Sequence, residues 1–233
     1  MNRISCSTFC LCVLLLLCRS ASSHELPGSQ FVGVWEPVGN FRKLNTDPVF
    51  TPEIALDIER QTKLREKGDY SGDNSANCIP PALPTMISIG VQEILVDKKK
   101  ITWIMESSSG IRWIWLDGRK HPPLDELRPK ANGHSIGHFE DDVLVVDSIG
   151  FLSRSIVYVN KTYNESVYPS PQMHVIERMR VTENGNVIIS DRTVTDPANF
   201  TEPWHTTVRY ERRPDWEIEE NICAENNRTE EYE

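Results

Sequence analysis

The sequence predicts an all-β protein, a single antiparallel meander closed into a lipocalin-like β-barrel, with one short N-terminal helix. From Met86 onward, nearly every segment alternates apolar and polar residues with the period of two that is typical of half-buried strands. Turn residues separate these segments at short intervals, and a helical pattern is confined to one early stretch. Closure into a barrel removes the unpaired edges of a meander, and an open sandwich is the alternative.

The predicted helix follows Thr51, which is a suitable N-cap residue. Pro52 occupies the first helical position, Glu53 is an early acid, and Lys67 with Gly68 suits the end of a helix. Its apolar face is thin, so we expect this helix to lie on the surface.

Ten strands are predicted, one before the helix and nine after it. Asn184 and Gly185 indicate a hairpin, because Asn-Gly supplies the positive φ angles of a primed turn. The predicted strands are 31–35, 92–97, 100–106, 111–117, 134–140, 143–148, 156–160, 173–181, 187–195 and 206–213.

The first 23 residues have the layout of a secretory signal peptide. Arg3 is followed by an apolar run at 9–18 and then by small residues, which predicts cleavage before His24. The run is shorter than the roughly 20 residues of a membrane-spanning helix. We therefore expect a secreted protein in which residues 24–233 form one β-barrel domain, with an N-terminal helix and loop segment and an acidic C-terminal tail.

The cysteines and sequons agree with export. After removal of the signal peptide only Cys78 and Cys223 remain, and one disulfide between them is the simplest state in an oxidising compartment. Two free buried thiols are the alternative. Four Asn-X-Ser/Thr sequons predict glycosylation at surface positions: Asn160, Asn164, Asn199 and Asn227.

The charge balance excludes several classes of partner. Without Arg3 and Arg19, 23 basic side chains remain against 34 acidic ones, which leaves a net charge of −11. Such a chain is unsuited to nucleic acid or to an anionic membrane surface. No glycine-rich phosphate loop occurs in the sequence, so the usual nucleotide enzymes are also excluded. The sequence leaves the oligomeric state open.

Two resemblances to known families are present. Gly33-Val-Trp35 resembles the start of lipocalin-type barrels. The segment GHSIGHFEDDVLVVDSIGF at 133–151 resembles the signature of an uncharacterised family of mostly bacterial exported proteins, in which Gly-His-Ser is followed by Trp-Glu-Gly-Asp-Thr-Leu-Val-Val-Asp-Thr and Gly-Phe. Similar blocks span most of the mature chain, and this sequence departs from the signature at Phe139, Asp141 and Val143. The resemblance implies the extent of the domain and no particular activity.

One carboxylate is predicted to point into the barrel. On the strand at 173–181, Glu177 shares a face with Met173, Val175 and Met179. A carboxylate in such surroundings either finds a cationic partner or has its pKa raised, and a raised carboxylate in a cavity is a candidate general base. The alternatives are a structural ion pair with an arginine or a bulge that turns Glu177 outward.

Three histidines and one arginine are candidates to act with Glu177. His121 lies in a loop and His134 begins a strand, so both could stand at one end of the barrel and move a proton near neutral pH. His174 and Arg178 would contribute if a bulge turned them inward. His134 and His138 are separated by about 13 Å along a strand, too far to share one ion, and we predict no metal.

Three tryptophans are candidates to line a ligand pocket. Trp113 and Trp115 share one face of their strand, and Trp103 shares a face with Ile101 and Met105 on the preceding strand. Large aromatic residues at alternating positions commonly fill a core, whereas in a wider barrel they would line a pocket for an apolar ligand. Asp147, at the end of its strand, is a further ligand-binding candidate: it is either an inward polar group or the point at which the strand leaves the core.

These observations favour a secreted enzyme that acts on a small hydrophobic molecule by acid/base chemistry in the barrel, without an organic cofactor. Isomerase, lyase, hydrolase and cofactor-free oxygenase or luciferase chemistry all remain open. A lipocalin-like carrier is the second hypothesis, and an interaction module is the third. The enzyme hypothesis predicts that Glu177 and at least two histidines converge in one pocket.

Overall fold

The protein is a closed nine-stranded barrel in a computed structural model that describes residues 26–38, 45–69, 78–108, 110–159 and 165–220. The predicted fold class, an all-β barrel with a single α-helix, is confirmed. The helix α1 is Pro52–Glu66, and the strands are β1 (Gly33–Pro37), β2 (Gln92–Val96), β3 (Lys100–Met105), β4 (Gly110–Trp115), β5 (His134–Glu140), β6 (Val143–Ile149), β7 (Tyr158–Val159), β8 (Ser166–Val167), β9 (His174–Thr182), β10 (Val187–Thr195) and β11 (Trp204–Arg212).

The barrel closes through the short first strand. The order of hydrogen-bonded strands is β1-β11-β10-β9-β6-β5-β4-β3-β2, and β1 pairs with both β11 and β2. β7 and β8 form a separate two-stranded sheet. Because every barrel strand has two neighbours, none of them leaves an open row of backbone donors and acceptors.

One pair in the barrel differs from the predicted antiparallel meander. β4 and β5 are parallel, with Ile114 opposite Ser135 and Trp115 opposite Ile136. A parallel pair cannot be joined by a hairpin, because the chain must return to the end at which it started. Residues 116–133 make this return, and we refer to them as the crossover segment.

Strand alternation divides side chains between the packed interior and the outer face. β9 pairs residue by residue with β10 from His174 to Thr182, so its alternation is uninterrupted by a bulge. Residues buried in the interior include Trp35, Trp103, Leu144, Val146, Met179, Ile188 and Tyr210.

The β9–β10 turn confirms the predicted hairpin. Residues 183–186 connect the strands, and positive φ angles occur at Glu183, Asn184 and Gly185. Gly185 takes this conformation without a steric penalty because it has no Cβ.

The helix α1 lies on the surface, as its thin apolar face predicts, and contains no buried residue. Gln61 attaches it to the small sheet: its Oε1 accepts from the Ser166 backbone N–H at 3.0 Å, and its Nε2 donates to the Ser166 carbonyl at 3.2 Å. Among the described residues, no helix is both long enough and apolar enough to cross a membrane.

Candidate acid/base site on the outer face of the barrel

The barrel interior contains a buried ion cluster around Glu177. Glu177 points inward and is fully buried, as its strand pattern predicts, and its Oε2 accepts a hydrogen bond from Arg112 Nη2. Arg192 Nε lies 3.4 Å from Glu177 Oε1. The hypothesis of a lone carboxylate in an apolar hollow is therefore wrong, and the alternative of a structural ion pair is correct. Arg112 and Arg192 are buried together with Glu177.

Further polar groups complete this interior cluster. Arg112 donates to Ser135 Oγ at 3.1 Å and to Ser148 Oγ at 3.0 Å. Arg192 Nη2 donates to the hydroxyl of Tyr210, and burial raises the pKa of that hydroxyl to about 12. Arg192 also donates to Ser190 Oγ at 3.1 Å and to the Pro84 carbonyl at 3.2 Å. Among the described residues, Arg112 Nη1 and Glu177 Oε1 have no hydrogen-bond partner.

The predicted histidines lie on the opposite face of the same sheet. His134 alternates with the buried Ser135, Asp147 with the buried Ser148, and His174 with the buried Val175. The prediction that Glu177 and the histidines share one pocket is therefore wrong. Strand residues an odd number of positions apart point to opposite faces, so an inward Glu177 requires an outward His174, three residues earlier on β9.

The side chains of His121, His134, Asp147 and His174 form a hydrogen-bonded group that we call the histidine cluster. His121 Nδ1 lies 2.8 Å from His134 Nδ1, and His121 Nε2 lies 3.1 Å from Asp147 Oδ1. His174 Nε2 lies 2.7 Å from the same carboxylate oxygen. β5, β6 and β9 supply three members, and the crossover segment brings His121 over the outer face.

The hydrogen-bond pattern assigns the protons of the cluster. A carboxylate only accepts, so the Nε2 atoms of His121 and His174 both carry hydrogen. A neutral His121 then has its lone pair on Nδ1, which accepts from His134 Nδ1–H. In a neutral His134 the remaining lone pair is on Nε2, which has no hydrogen-bond partner within the described part of the chain. His134 Nε2 is therefore the atom that can accept a proton from a bound molecule.

The electrostatic surroundings keep His134 neutral. Partial burial lowers the pKa of its imidazole, and His121, Arg119 and Lys130 lower that pKa further by disfavouring a nearby positive charge. A histidine with a pKa below the usual value of about 6.5 is unprotonated at neutral pH. It is thus in the state that a general base requires.

Arg178 is separate from the histidine cluster. It points outward, about 13 Å along β9 from His174, and donates to Glu140 Oε2 at 2.7 Å. The condition for an interior role of His174 and Arg178, a bulge that turns them inward, is not met, because β9 pairs with β10 without interruption. His174 joins a site on the outer face without a bulge, and Arg178 forms a surface ion pair.

The three predicted tryptophans are divided between the two faces. Trp103 is buried in the core and its Nε1 donates to Gln92 Oε1 at 2.6 Å. Trp113 and Trp115 point outward, and Trp113 is 42 % exposed. Neither lines the interior, which on β4 receives Arg112 and Ile114 instead. We call the outward residues Ile111, Trp113 and Trp115 the tryptophan patch.

The tryptophan patch adjoins the histidine cluster. Since Ile114 is opposite Ser135 in the parallel pair, Trp113 and His134 occupy the preceding positions on the two strands and face outward together. Asp147 belongs to this outer surface as well, so the alternative in which it is an inward polar group is wrong. The outer face thus combines an aromatic surface with a base whose pKa is lowered.

Sequence reasoning missed the two buried arginines. Alternation around Ile114 and Val194 places Arg112 and Arg192 on the inner faces of β4 and β10, and a buried charge requires a partner. Glu177 is an inward charge with the same need. Pairing it with the two inward arginines would have predicted the interior cluster from the sequence.

One predicted glycosylation site is buried. Asn199 is 5 % exposed, and its Nδ2 donates to the Tyr168 carbonyl at 2.7 Å and to Asp196 Oδ2 at 2.6 Å. The prediction of a surface position is wrong for Asn199, because a glycan on Nδ2 would replace one of these hydrogens. Residues 1–23, Asn160, Asn164, Cys223 and Asn227 lie outside the described residues, so the signal peptide, the other sequons and the pairing of Cys78 stay predictions.

Comparison with known proteins adds no assignment. No protein-family model matches the chain, and no curated protein matches it. Within the described ranges, no group of three or more histidine, cysteine or acidic side chains has an arrangement suited to a metal ion.

Proposed function

We propose that this protein is a secreted enzyme that acts on a small, largely apolar molecule by acid/base chemistry without an organic cofactor. The chemistry is proposed for the histidine cluster on the outer face, and the barrel interior has a structural role. The observation that carries the proposal is the continuous hydrogen-bonded series from His134 through His121 to Asp147, which ends in an unpartnered Nε2 atom.

The series gives each residue a role in proton transfer. His134 Nε2 takes a proton from the substrate, and the resulting imidazolium donates Nδ1–H to His121. His121 in turn donates Nε2–H to Asp147, whose negative charge stabilises the charged pair. His174 donates to the same oxygen at 2.7 Å and holds the carboxylate in place. The protonated His134 then returns the proton to a developing anion.

Export is part of the same proposal. Residues 1–23 are proposed to be removed, Cys78 to pair with Cys223, and Asn160, Asn164 and Asn227 to carry glycans. A lipocalin-like carrier without catalysis is the second candidate function, and the exposed Trp113 favours it because a carrier also needs an aromatic contact surface.

A deuterium-exchange screen tests the catalytic proposal. The purified chain is incubated in D2O with enolisable aryl ketones, and NMR measures deuterium incorporation at the acidic C–H position. Any exchange that the wild-type chain accelerates should fall by about 10²- to 10⁴-fold in His134→Gln, the usual contribution of a general base. His138→Gln is the matched control, because His138 is exposed on the same face of β5 and bonds only Glu140, outside the cluster.

Two results would reject the catalytic proposal. One is equal exchange in wild-type protein and His134→Gln when circular dichroism shows both folded. The other is an equal loss of exchange in His134→Gln and His138→Gln, since this would indicate a general effect on the sheet surface. Binding of an aryl ketone without any exchange would favour the carrier.

A further inference from the structure

Lysine side chains border the tryptophan patch. Lys100 Nζ lies 5.4 Å from the ring centroid of Trp113 and 5.6 Å from that of Trp115. Lys130 Nζ lies 5.6 Å from the Trp113 centroid. The two indoles are 6.5 Å apart between centroids. Two ammonium groups therefore approach one pair of aromatic rings from different segments, β3 and the crossover segment.

Within the described part of the chain, no ion pair neutralises the positive charges of these lysines. Arg119, which stacks on Trp115 at 3.6 Å, is paired with Asp117 through Nε at 2.8 Å and Nη2 at 2.5 Å. Among the described residues, Lys100 and Lys130 have no carboxylate within 4 Å. On a chain with a formal charge of −9, this is a local positive surface.

The positive surface extends to the proposed base. Trp113 and His134 are neighbours across the parallel pair, and Lys130 is one of the cations that lower the pKa of His134. A molecule lying on the tryptophan patch is consequently within reach of His134 while it also meets both ammonium groups.

We infer that the tryptophan patch binds a small planar aromatic anion, with its negative group between Lys100 and Lys130 and its ring against the indoles. This inference rests on the proposed function and names the substrate class of that site. A neutral apolar molecule would leave two lysines without a counter-charge, and a cation would be repelled by them. A non-aromatic anion would not use the half-exposed indole surface of Trp113.

Three probes of similar size separate the contributions of ring and charge. Isothermal titration calorimetry compares 1-naphthoate with the neutral 1-naphthamide and with the non-aromatic anion decahydronaphthalene-1-carboxylate. We expect 1-naphthoate to bind about tenfold more tightly than either, which corresponds to about 1.4 kcal/mol. Its affinity should fall as salt is raised, because exposed ion pairs are screened.

The double variant Lys100→Gln/Lys130→Gln should lose the preference for 1-naphthoate over 1-naphthamide. The control with the same loss of charge is Lys67→Gln/Lys98→Gln, which changes exposed lysines at the end of α1 and in the β2–β3 turn. Trp113→Leu should weaken the binding of both aromatic probes and leave the affinity for decahydronaphthalene-1-carboxylate unchanged.

The outcomes distinguish this inference from the proposed function. His138→Gln, which lies outside the histidine cluster, should bind 1-naphthoate with unchanged affinity. Binding of 1-naphthoate by a wild-type protein that accelerates no exchange rejects catalysis and keeps the anion site. Equal affinity for 1-naphthoate and 1-naphthamide overturns the inference. The inference is also overturned if the protein binds a heparin column, Lys100→Gln/Lys130→Gln does not, and 1-naphthoate does not bind. The surface would then be a binding site for a polyanion.

Discussion

Neighbouring residues of β9 have opposite environments, and the contrast between Glu177 and Arg178 gives the first prediction. Glu177→Gln leaves Arg112 and Arg192 buried without a carboxylate and should lower the free energy of unfolding by about 3–5 kcal/mol. Arg178→Gln removes an ion pair in which both partners are 49 % exposed and should cost less than about 1 kcal/mol. Urea unfolding of both variants measures the difference.

Measuring the exchange activity of Glu177→Gln distinguishes a structural role of Glu177 from a catalytic one. Glu177→Gln should keep the exchange activity of the histidine cluster at temperatures where it remains folded. A stable Glu177→Gln protein without activity would contradict the assignment of Glu177 to the structural interior.

The pH dependence of activity is a second prediction at the scale of single residues. His134 must be neutral to accept a proton, so activity should fall as the pH decreases through its pKa, which lies below about 6.5. Arg119→Gln removes a cation that lowers this pKa, so the acid limb of the profile should move to higher pH. The pH–rate profiles of wild type, Arg119→Gln and the Lys98→Gln control measure the shift, and coincident profiles would contradict the electrostatic argument.

The same lowered pKa affects stability in a defined direction. Between the folded and unfolded pKa values the unfolded chain binds more protons at His134 than the folded chain does. The contribution of His134 to stability is therefore present above about pH 6.5 and is lost as the pH falls through the folded value.

Alternation predicted the direction of single side chains only where one face is clearly apolar. It placed Glu177 inward because Val175 and Met179 share its face. On β4, the apolar residues Ile111 and Trp113 lie on the outer face. Arg112 points inward instead, because it forms an ion pair with Glu177 on β9, which is not a neighbouring strand. That pairing depends on tertiary structure and is not contained in the pattern of β4 alone.

At the scale of elements, Gly133 controls how the chain enters β5. It has a φ of +64°, and a Cβ there would lie 2.7 Å from the Ile149 carbonyl oxygen. Gly133→Ala should therefore destabilise the protein by more than the roughly 1–2 kcal/mol of a left-handed backbone alone. Gly68→Ala is the control, because Gly68 has a φ of +82° and nothing within 4 Å of its Cβ position.

Thermal unfolding compares the two glycine variants. If the Gly133→Ala protein were no less stable than Gly68→Ala, the Ile149 carbonyl could move away from the added Cβ at little cost in free energy, which would contradict the prediction. Because His134 follows Gly133, we also expect loss of exchange activity in the folded Gly133→Ala protein.

The elements themselves were more predictable than their arrangement. The bounds of β5 and β10 and the Asn184-Gly185 turn agree with the sequence pattern, since alternation and turn chemistry are local properties. The parallel β4–β5 pair was not predicted. Nothing in residues 116–133 has a regular period, and the path of an irregular segment is determined by what it packs against.

At the scale of the whole molecule, the burial of Asn199 predicts the pattern of modification. Peptide mapping of the chain expressed in eukaryotic cells with its proposed signal peptide, before and after enzymatic removal of N-glycans, should find glycans at Asn160, Asn164 or Asn227 and an unmodified Asn199. Full occupancy of Asn199 would contradict its packing in the folded state. Mapping without reduction should also recover one cross-linked peptide that contains Cys78 and Cys223.

The parallel β4–β5 pair and the histidine cluster both depend on the crossover segment. The crossover segment exists because β4 and β5 run in the same direction, and it also carries His121, Arg119 and Lys130. A relative in which β4 and β5 were antiparallel and joined by a tight hairpin would lose His121 from the proposed proton relay and Lys130 from the proposed anion site in a single step. New substrate preferences could instead arise by changing this segment alone, without disturbing the strands beneath it.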